Sequence, residues 1–243
     1  MGDSSLMNAA FPDRSEVVVA AFDLDGTLTE GGSVLRWLTQ VAGRRETALA
    51  VAKLSPRLAS GALRSGAAAD AAKEELFAAL LRGRSLAEVE AVSQRFAESH
   101  VASKLRTEAK ARLDWHLALG HRVVLVSASP ELYVARVASL LGAEGSVATR
   151  LAISGGEELT GRYEGRNCRG SEKFSRVTSW MRSQGLLGSS EQAPVLWAYG
   201  NSRGDLRLLR AADHGVSCAK LGMLSRLSQF PSLADTVAAT SRS

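Results

Sequence analysis

Cysteine and long apolar runs are both scarce in this chain. The two cysteines, Cys168 and Cys218, are far apart and fit no metal-ligand spacing, which indicates reduced thiols and a cytoplasmic protein. No apolar stretch approaches the roughly 20 residues that a membrane-spanning helix needs. Residues 1–15 include acidic side chains and no continuous apolar core, so they do not resemble a secretion signal. We expect them to form a disordered lead-in.

Runs of basic residues are also missing, although the net charge is +5. A basic excess can favour nucleic acid, an anionic membrane surface or a small phosphorylated substrate. Since no nucleic-acid-binding motif is present, nucleic acid is not expected as a partner. A length of 243 residues and a hydrophobic content of 45% suit an ordinary globular protein with one large domain or two small ones.

Short apolar runs that suit buried parallel strands recur along the chain, separated by helical patterns. They lie at residues 17–22, 122–126 and 195–199, with a weaker run at 215–217. This alternation predicts an α/β fold with a Rossmann-like parallel sheet and crossover helices. Residues 151–163, with two glycines in the middle, predict a small β-hairpin.

Residues 33–103 differ from the rest, because Ala, Leu, Arg and Glu dominate with helical spacing and no good strand. We therefore expect an all-helical cap inserted after the first strand. The predicted core comprises residues 16–32 and 104–231, and residues 232–243 form a tail. Leucines within 221–230 share one helical face, which favours packing on the same domain and leaves a peripheral membrane contact as the alternative.

Two acidic residues follow the first predicted strand at once. Asp23 and Asp25 lie where open α/β sheets bind their ligands, and Gly26 allows a tight turn there. Two carboxylates this close would repel each other, and a bound Mg²⁺ would relieve the repulsion. By itself, such a pair is also typical of a solvated turn.

Two helix starts offer groups that suit a phosphate. Ser127 follows the second strand and precedes Ser129 and Pro130, which are predicted as the N-cap and the first residue of a helix. Lys173 stands in the first turn of a helix that Ser171 could cap. A positive charge there opposes the helix dipole, which favours a role in a site over a role in the helix.

Asn201 and Asp205 follow the third strand and offer two more oxygen ligands for a cation. Each of these patterns alone also fits an ordinary cap or turn. In this order, however, they resemble the four motifs of the haloacid dehalogenase superfamily, over residues 17–217. The helical insertion and residues 167–173 are similar to the branch that contains phosphoserine phosphatases and phosphatidylglycerophosphate phosphatases.

The resemblance implies a magnesium-dependent phosphomonoester hydrolase. Asp23 would be the nucleophile that forms an aspartyl-phosphate, and Asp25 the general acid and base. Thr27 would help to hold the Asp25 loop. The implied metal ligands are Asp23, Asp25, Asn201 and Asp205, and the implied phosphoryl-binding residues are Ser127, Ala128 and Lys173.

The substrate is less defined by the sequence. Phosphoserine phosphatases carry a glutamate after the nucleophile that holds the substrate amine, and the corresponding residue is Gly32, with Glu30 nearby. Arg57 and Lys73 of the predicted cap are candidate contacts for a small or amphiphilic phosphomonoester, including a lipid head group, although most such cations are simply solvated.

One departure from the family pattern supports a second reading. The usual metal-binding aspartate of the last motif is Asn201 here, and an amide contributes no charge to a metal site. The alternative function is therefore a catalytically weak protein that binds a phosphorylated ligand on the same fold.

Overall fold

The computed structural model of the protein describes residues 17–64, 66–187, 193–219 and 227–240, with the side chains of 56–64 and 237–240 outside this description. The strands are β1 (Val18–Phe22), β2 (Arg122–Pro130), β3 (Gly145–Thr149), β4 (Leu151–Ile153), β5 (Leu159–Tyr163), β6 (Val195–Gly200) and β7 (His214–Ser217). Five of them form a parallel sheet in the order β3-β2-β1-β6-β7, and β4 pairs antiparallel with β5.

Four helices lie between β1 and the helix that leads into β2. They are α1 (Val34–Ala42), α2 (Arg44–Arg64), α3 (Gly66–Leu81) and α4 (Leu86–Lys104). The remaining helices are α5 (Thr107–Ala118), α6 (Glu131–Leu140), α7 (Ser171–Ser183), α8 (Leu206–Ala211) and α9 (Leu233–Thr240). The parallel sheet with flanking helices confirms the predicted α/β fold.

The central strand β1 is buried along its whole length, as a parallel strand covered on both faces must be. Its side chains alternate between two hydrophobic clusters. Ala20 and Phe22 point into the cluster shared with α6 and the helices of the insertion, whereas Val19 and Ala21 point into the cluster shared with α7 and α8. The continuous apolar run in the sequence therefore serves both faces of the sheet.

Aromatic side chains join the helical insertion to the sheet. The Tyr133 ring of α6 packs against Trp37 of α1 and Phe96 of α4, with ring centroids 5.4 and 5.0 Å apart. Trp37 in turn meets Phe77 of α3 at 6.3 Å. Since Tyr133, Trp37 and Phe77 have no exposed surface, this contact removes large apolar areas from water and holds the insertion against the start of α6.

Some elements differ from the sequence-based expectation. The hairpin at 151–163 is confirmed, but β3 was not predicted, because this short edge strand begins with Gly145 and Ser146. The expected tail contains α9, whose Leu233 is buried. Of the predicted leucine face, Leu227 is buried in the core, while residues 220–226 lie outside the described part of the chain, as do residues 1–15.

Both cysteines are buried thiols without a disulfide. Burial raises the pKa of Cys168 to about 11 and that of Cys218 to about 12, so neither is a reactive thiolate at neutral pH. Within the described ranges, no helix is long and apolar enough to cross a lipid bilayer.

Candidate active site

The carboxyl ends of three neighbouring strands bring the predicted motifs together. The last residue of β1 lies opposite Leu125 of β2 and Tyr199 of β6. Asp23 follows this last residue directly. Ser127 stands two positions after Leu125, and Asn201 stands two positions after Tyr199. The parallel register thus places all three at one edge of the sheet, where open α/β sheets bind ligands.

A cavity of about 170 Å³ opens at this edge. Seven of the ten predicted site residues line it: Asp23, Asp25, Ser127, Ala128, Lys173, Asn201 and Asp205. Three residues that the sequence analysis did not single out, Arg169, Ser202 and Gly204, line it as well.

A buried lysine connects two of the carboxylates. Lys173 Nζ donates hydrogen bonds to Asp23 Oδ1 at 2.6 Å and to Asp205 Oδ1 at 2.5 Å. Its helix begins at Ser171 with Gly170 at the N-cap position, so the predicted Ser171 cap is wrong by one residue. Gly170 has a φ of 61°, a left-handed conformation that glycine adopts without strain, and this turn directs the first residues of α7 toward the sheet edge.

Burial dominates the ionisation of Asp23. Burial, followed by the Asp205 carboxylate, raises the pKa of Asp23 to about 7, although Lys173 acts in the opposite direction. Burial alone would lower the pKa of Lys173, but the carboxylates of Asp205 and Asp23 outweigh it and hold that pKa above its ordinary value. The lysine is therefore charged, and two acids compete for its single positive charge.

Asp205 also shapes the loop that carries Asn201. Its Oδ2 accepts hydrogen bonds from the backbone N–H of Ser202 at 2.9 Å and of Asn201 at 3.2 Å, and from the Ser202 hydroxyl at 2.7 Å. Both carboxylate oxygens are thus engaged. Asp205 fixes the loop conformation while it holds Lys173 in place.

Thr27 and Gly26 bring Asn201 close to the nucleophile candidate. The Thr27 hydroxyl donates to Asp23 Oδ2 at 2.9 Å and lies 3.3 Å from Asn201 Oδ1. Its side chain thus bonds to Asp23, across the loop that carries Asp25. A Cβ atom at Gly26 would lie 2.0 Å from Asn201 Nδ2, so only glycine permits this approach.

Asp25 is held through one of its two oxygens. Its Oδ2 accepts hydrogen bonds from Ser129 Oγ at 2.5 Å and from Ser33 Oγ at 2.9 Å, and the Tyr133 hydroxyl lies 2.6 Å from Ser33 Oγ. Ser129 is not the N-cap of α6, as the sequence suggested, because Pro130 occupies that position. A hydroxyl bonds more strongly to a carboxylate than to a backbone amide, which explains the different role.

The second oxygen of Asp25 has no hydrogen-bond partner within the described residues, although it is buried. A buried carboxylate oxygen without a donor is costly to maintain. The cost is offset when a ligand supplies a proton or when this oxygen itself carries the proton. Asp25 Oδ1 is therefore the oxygen of this carboxylate that still lacks a donor.

Lys73 supports the loop between the two serines. Its Nζ donates to the Ala128 carbonyl at 2.6 Å, and the Thr149 hydroxyl donates to the same oxygen at 2.7 Å. Burial lowers the pKa of Lys73 to about 8. Lys73 does not line the small cavity, so its position suits a supporting residue, and the side chain of Arg57 lies outside the described part of the chain.

The charges in the cavity fit a divalent cation. Three carboxylates, of Asp23, Asp25 and Asp205, line the cavity with two cationic side chains, the buried Lys173 and the half-exposed Arg169, and hard oxygen donors are the ligands that Mg²⁺ prefers. Among the described residues, no three Asp, Glu, His or Cys side chains are grouped as a complete metal cage. The amide of Asn201 and a backbone carbonyl are therefore needed to complete a ligand set.

Comparison with known proteins identifies the family. A family model described as haloacid dehalogenase-like hydrolase matches residues 20–210, which include every residue that lines the small cavity. The chain belongs to the haloacid dehalogenase-like hydrolases. The predicted superfamily and its hydrolase class are confirmed.

Three similar proteins place this hydrolase more closely. Protein CicA of Caulobacter vibrioides is 35% identical over 199 residues, which cover 82% of this chain and 84% of CicA. Phosphoserine phosphatase SerB1 of Mycobacterium tuberculosis is 27% identical over 230 residues, covering 90% of this chain and 72% of SerB1. A solved phospho-aspartyl intermediate analogue of phosphoserine phosphatase has a TM-score of 0.61 at 20% identity, covering 92% and 99% of the two chains, and shows the same fold. SerB1 and the solved structure are both named as phosphatases, in agreement with the predicted enzyme class.

Proposed function

We propose that this hydrolase is a magnesium-dependent phosphomonoesterase that works through an aspartyl-phosphate on Asp23. The observation that carries the proposal is the convergence in one cavity of a buried nucleophile candidate, a charged lysine and a second acid with a free oxygen. The relative solved as a phospho-aspartyl intermediate analogue has this fold, which supports the same chemistry here.

In the first step, an oxygen of Asp23 would attack phosphorus, and the bond between phosphorus and the ester oxygen would break. The departing oxygen would take a proton from Asp25, which lines the cavity and whose Oδ1 has no hydrogen-bond partner among the described residues. Lys173, the Ser127 hydroxyl and the backbone at Ala128 line the same cavity and would stabilise the phosphoryl oxygens.

In the second step, a water molecule would attack the phosphorus of the aspartyl-phosphate. Asp25, now ionised, removes a proton from that water, and the bond between phosphorus and Asp23 breaks to release phosphate. Both acids return to their starting states. Mg²⁺, held by Asp23, the Asp25 carbonyl and the Asn201–Asp205 loop, would supply positive charge against the phosphoryl oxygens when bound.

Phosphoserine itself is a poor fit for this site. Gly32 offers no carboxylate at the position where the resemblance implies a glutamate, and the Glu30 side chain is exposed. A protein of this family that lacks an acid for the substrate amine is better suited to a phosphomonoester without an amino group. The substrate class that we propose is a small phosphomonoester of that kind.

The first prediction concerns the metal. Phosphate release from a panel of phosphomonoesters should require Mg²⁺ and disappear in EDTA. The variant Asn201→Asp, which adds a charged ligand, should reach half-maximal rate at an Mg²⁺ concentration lower by on the order of tenfold. The measurement is phosphate release as a function of Mg²⁺ concentration for both proteins.

Asn201→Ala is the matched control, because it removes the amide oxygen and should raise the Mg²⁺ requirement. If the native chain released no phosphate from any ester even at high Mg²⁺, the proposed activity would be wrong. Ligand binding without turnover would then favour the alternative of a weakly catalytic phosphoryl-binding protein.

The second prediction concerns the hydrogen bonds to Asp25. Ser129→Ala removes the 2.5 Å hydrogen bond to Asp25 Oδ2, so this acid is less well oriented toward the leaving group. We expect kcat/KM for an alkyl phosphate to fall by about tenfold or more, because its poor leaving group needs the proton. For p-nitrophenyl phosphate, whose leaving group departs as an anion, the fall should be less than about threefold.

The control variant is Ser99→Ala, which removes the hydroxyl of an exposed serine that is bonded to the Phe96 carbonyl, away from the cavity. Tyr133→Phe tests the outer member of the same chain of hydroxyls and should show the same leaving-group dependence, with a smaller effect. Equal losses for the two esters would show that Ser129 has only a structural role.

A further inference from the structure

A second cavity adjoins the small one. It has a volume of about 780 Å³ and lies between α3 and the loops at residues 163–172 and 203–204. Arg169 and Gly204 line both cavities. The small cavity of about 170 Å³ can hold a phosphoryl group but little more, so the larger cavity is the space for the rest of a phosphoester.

The acidic side chains of the larger cavity accept hydrogen bonds from other residues of the protein. Its walls contain three carboxylates, and each accepts a short hydrogen bond from the protein. The bonds are Asn167 Nδ2 to Asp70 at 2.6 Å, the Tyr163 N–H to Glu74 at 2.9 Å and Arg176 Nε to Glu172 at 2.8 Å. Each of these carboxylates therefore already has a partner within the protein.

The basic groups of the same cavity have capacity to spare. Within the described residues, the Arg169 guanidinium makes one ion pair, in which Nη1 lies 3.5 Å from Asp70 Oδ1. Neither Arg166 nor Arg203, which also line the cavity, makes an ion pair or side-chain hydrogen bond in the described part of the chain. The donors available to a ligand therefore include three guanidinium groups.

Arg169 extends from the core to the helical insertion across both cavities. Its stem lies against Gly204, where an added Cβ would be 3.1 Å from Arg169 Cγ, and its guanidinium lies about 3.9 Å from the corresponding position at Gly66 of α3. Asp70 keeps its short bond to Asn167 without Arg169. A ligand anion can thus replace the 3.5 Å contact with Asp70 at low cost.

We infer that Arg169 is a specificity residue that selects phosphomonoesters whose leaving group carries a second anion, a carboxylate or another phosphate. This inference rests on the proposed function and specifies its substrate class. A guanidinium binds either anion through two parallel hydrogen bonds, which lysine cannot match. Among the described residues, the apolar side chains of the cavity wall are alanines and Tyr163, which bury little of an acyl chain, so the amphiphilic option is disfavoured.

The test compares substrates that differ only in the second anion. 3-Phosphoglycerate is paired with glycerol 3-phosphate, which lacks the carboxylate. Propane-1,3-diol bisphosphate is paired with propane-1,3-diol monophosphate, which lacks the second phosphate. The first pair therefore tests recognition of a carboxylate, and the second tests recognition of a phosphate. In at least one pair, the native chain should prefer the ester whose leaving group carries the second anionic group, by about tenfold in kcat/KM. These esters are called dianionic below, for their two anionic groups. In Arg169→Ala this preference should largely disappear, a fall of about tenfold that acts mainly through KM, and the loss of activity on p-nitrophenyl phosphate, which lacks the second anion, should be clearly smaller.

Two further variants separate recognition from structure. Arg169→Lys should restore part of the preference, because it returns the charge without the fork of donors. Asp70→Asn keeps an acceptor for Asn167 but removes the competing charge, and should lower KM for the dianionic esters by about two- to fivefold. A native chain without preference, or equal losses in Arg169→Ala on p-nitrophenyl phosphate and the dianionic esters, would overturn the inference.

Affinity provides a readout that does not depend on turnover. The same ester pairs are titrated into Asp23→Asn and into Asp23→Asn/Arg169→Ala by calorimetry. A preference for the dianionic esters that disappears in the double variant supports the inference even if no ester is hydrolysed, and equal affinities overturn it. Failure of the proposed function appears separately, as the absence of Asp23-dependent phosphate release.

Discussion

Asp23→Asn should lose phosphate release by at least about a thousandfold while the protein stays folded. An amide has nearly the same shape as the carboxylate and can still accept the hydrogen bond from Lys173, but it cannot form the phosphoryl bond. The measurement is phosphate release at saturating Mg²⁺, together with a search for phosphorylated protein by mass spectrometry, which should find the modification only in the native chain.

The same variant has an expected effect on stability that separates chemistry from folding. The pKa of Asp23 rises from 3.8 to about 7 in the folded protein, so the folded state binds this proton more tightly than the unfolded chain does. The associated stability is complete below about pH 4 and is lost as the pH rises through about 7. In EDTA at pH 8, Asp23→Asn should therefore melt at the same or a higher temperature than the native chain.

Asp114→Asn is the matched control for this substitution. It makes the same chemical change on an exposed residue of α5 that pairs with Lys110, and should alter neither activity nor melting temperature appreciably. Retained phosphate release in Asp23→Asn would exclude Asp23 as the nucleophile. A large fall in its melting temperature would mean that the Asp23 charge stabilises the metal-free fold, contrary to the raised pKa.

Lys173→Met should destabilise the metal-free protein more than any other single substitution in the cavity. It leaves the buried carboxylates of Asp23 and Asp205 without their common cation, and an unpaired buried charge costs about 3–5 kcal/mol. We expect the melting temperature in EDTA to fall by on the order of 10 °C. Activity should fall by at least about a hundredfold, because the phosphoryl oxygens lose a nearby positive charge.

Added Mg²⁺ should restore part of the lost stability in Lys173→Met, since a dication can replace the missing charge between the two acids. A second substitution, Asp205→Asn, should also reduce the damage, which a double-mutant cycle would measure. Lys110→Met, on an exposed ion pair, is the control and should change stability by less than about 1 kcal/mol. Equal stability of Lys173→Met and the native chain would show that the two acids are protonated in the metal-free fold.

Much of the site could be predicted because its residues stand next to strong strand and helix signals. Asp23 and Ser127 come at or near the end of apolar runs that can only be buried parallel strands, and such strands align their carboxyl ends. The order of the motifs then indicates one superfamily and the implied role of each residue. Lys173 could be singled out because its charge is unfavourable for its own helix.

Other parts of the site left no local signal. Ser33 and Tyr133 are 100 positions apart, and their hydroxyls meet at 2.6 Å only because α1 and α6 pack through Trp37. The sequence predicted Ser129 as a helix cap because its local context favours a cap. The acceptor that it actually binds, Asp25, lies 104 positions away. Arg169 is half-exposed in a polar loop, and although it lies within the family-like stretch 167–173, its residue type alone does not distinguish it from a solvated arginine.

The sequence by itself therefore determined the fold class, the superfamily and the residues at the strand ends. The pattern of apolar runs and the order of the motifs, on which these conclusions depend, are properties of the chain alone. Only the tertiary structure decided which oxygen of Asp25 is held and which is free, and which cations of the larger cavity lack partners. These facts depend on side chains distant in sequence that hydrophobic packing brings within hydrogen-bond reach. Specificity, unlike the catalytic motifs, is therefore decided where the helical insertion meets the sheet.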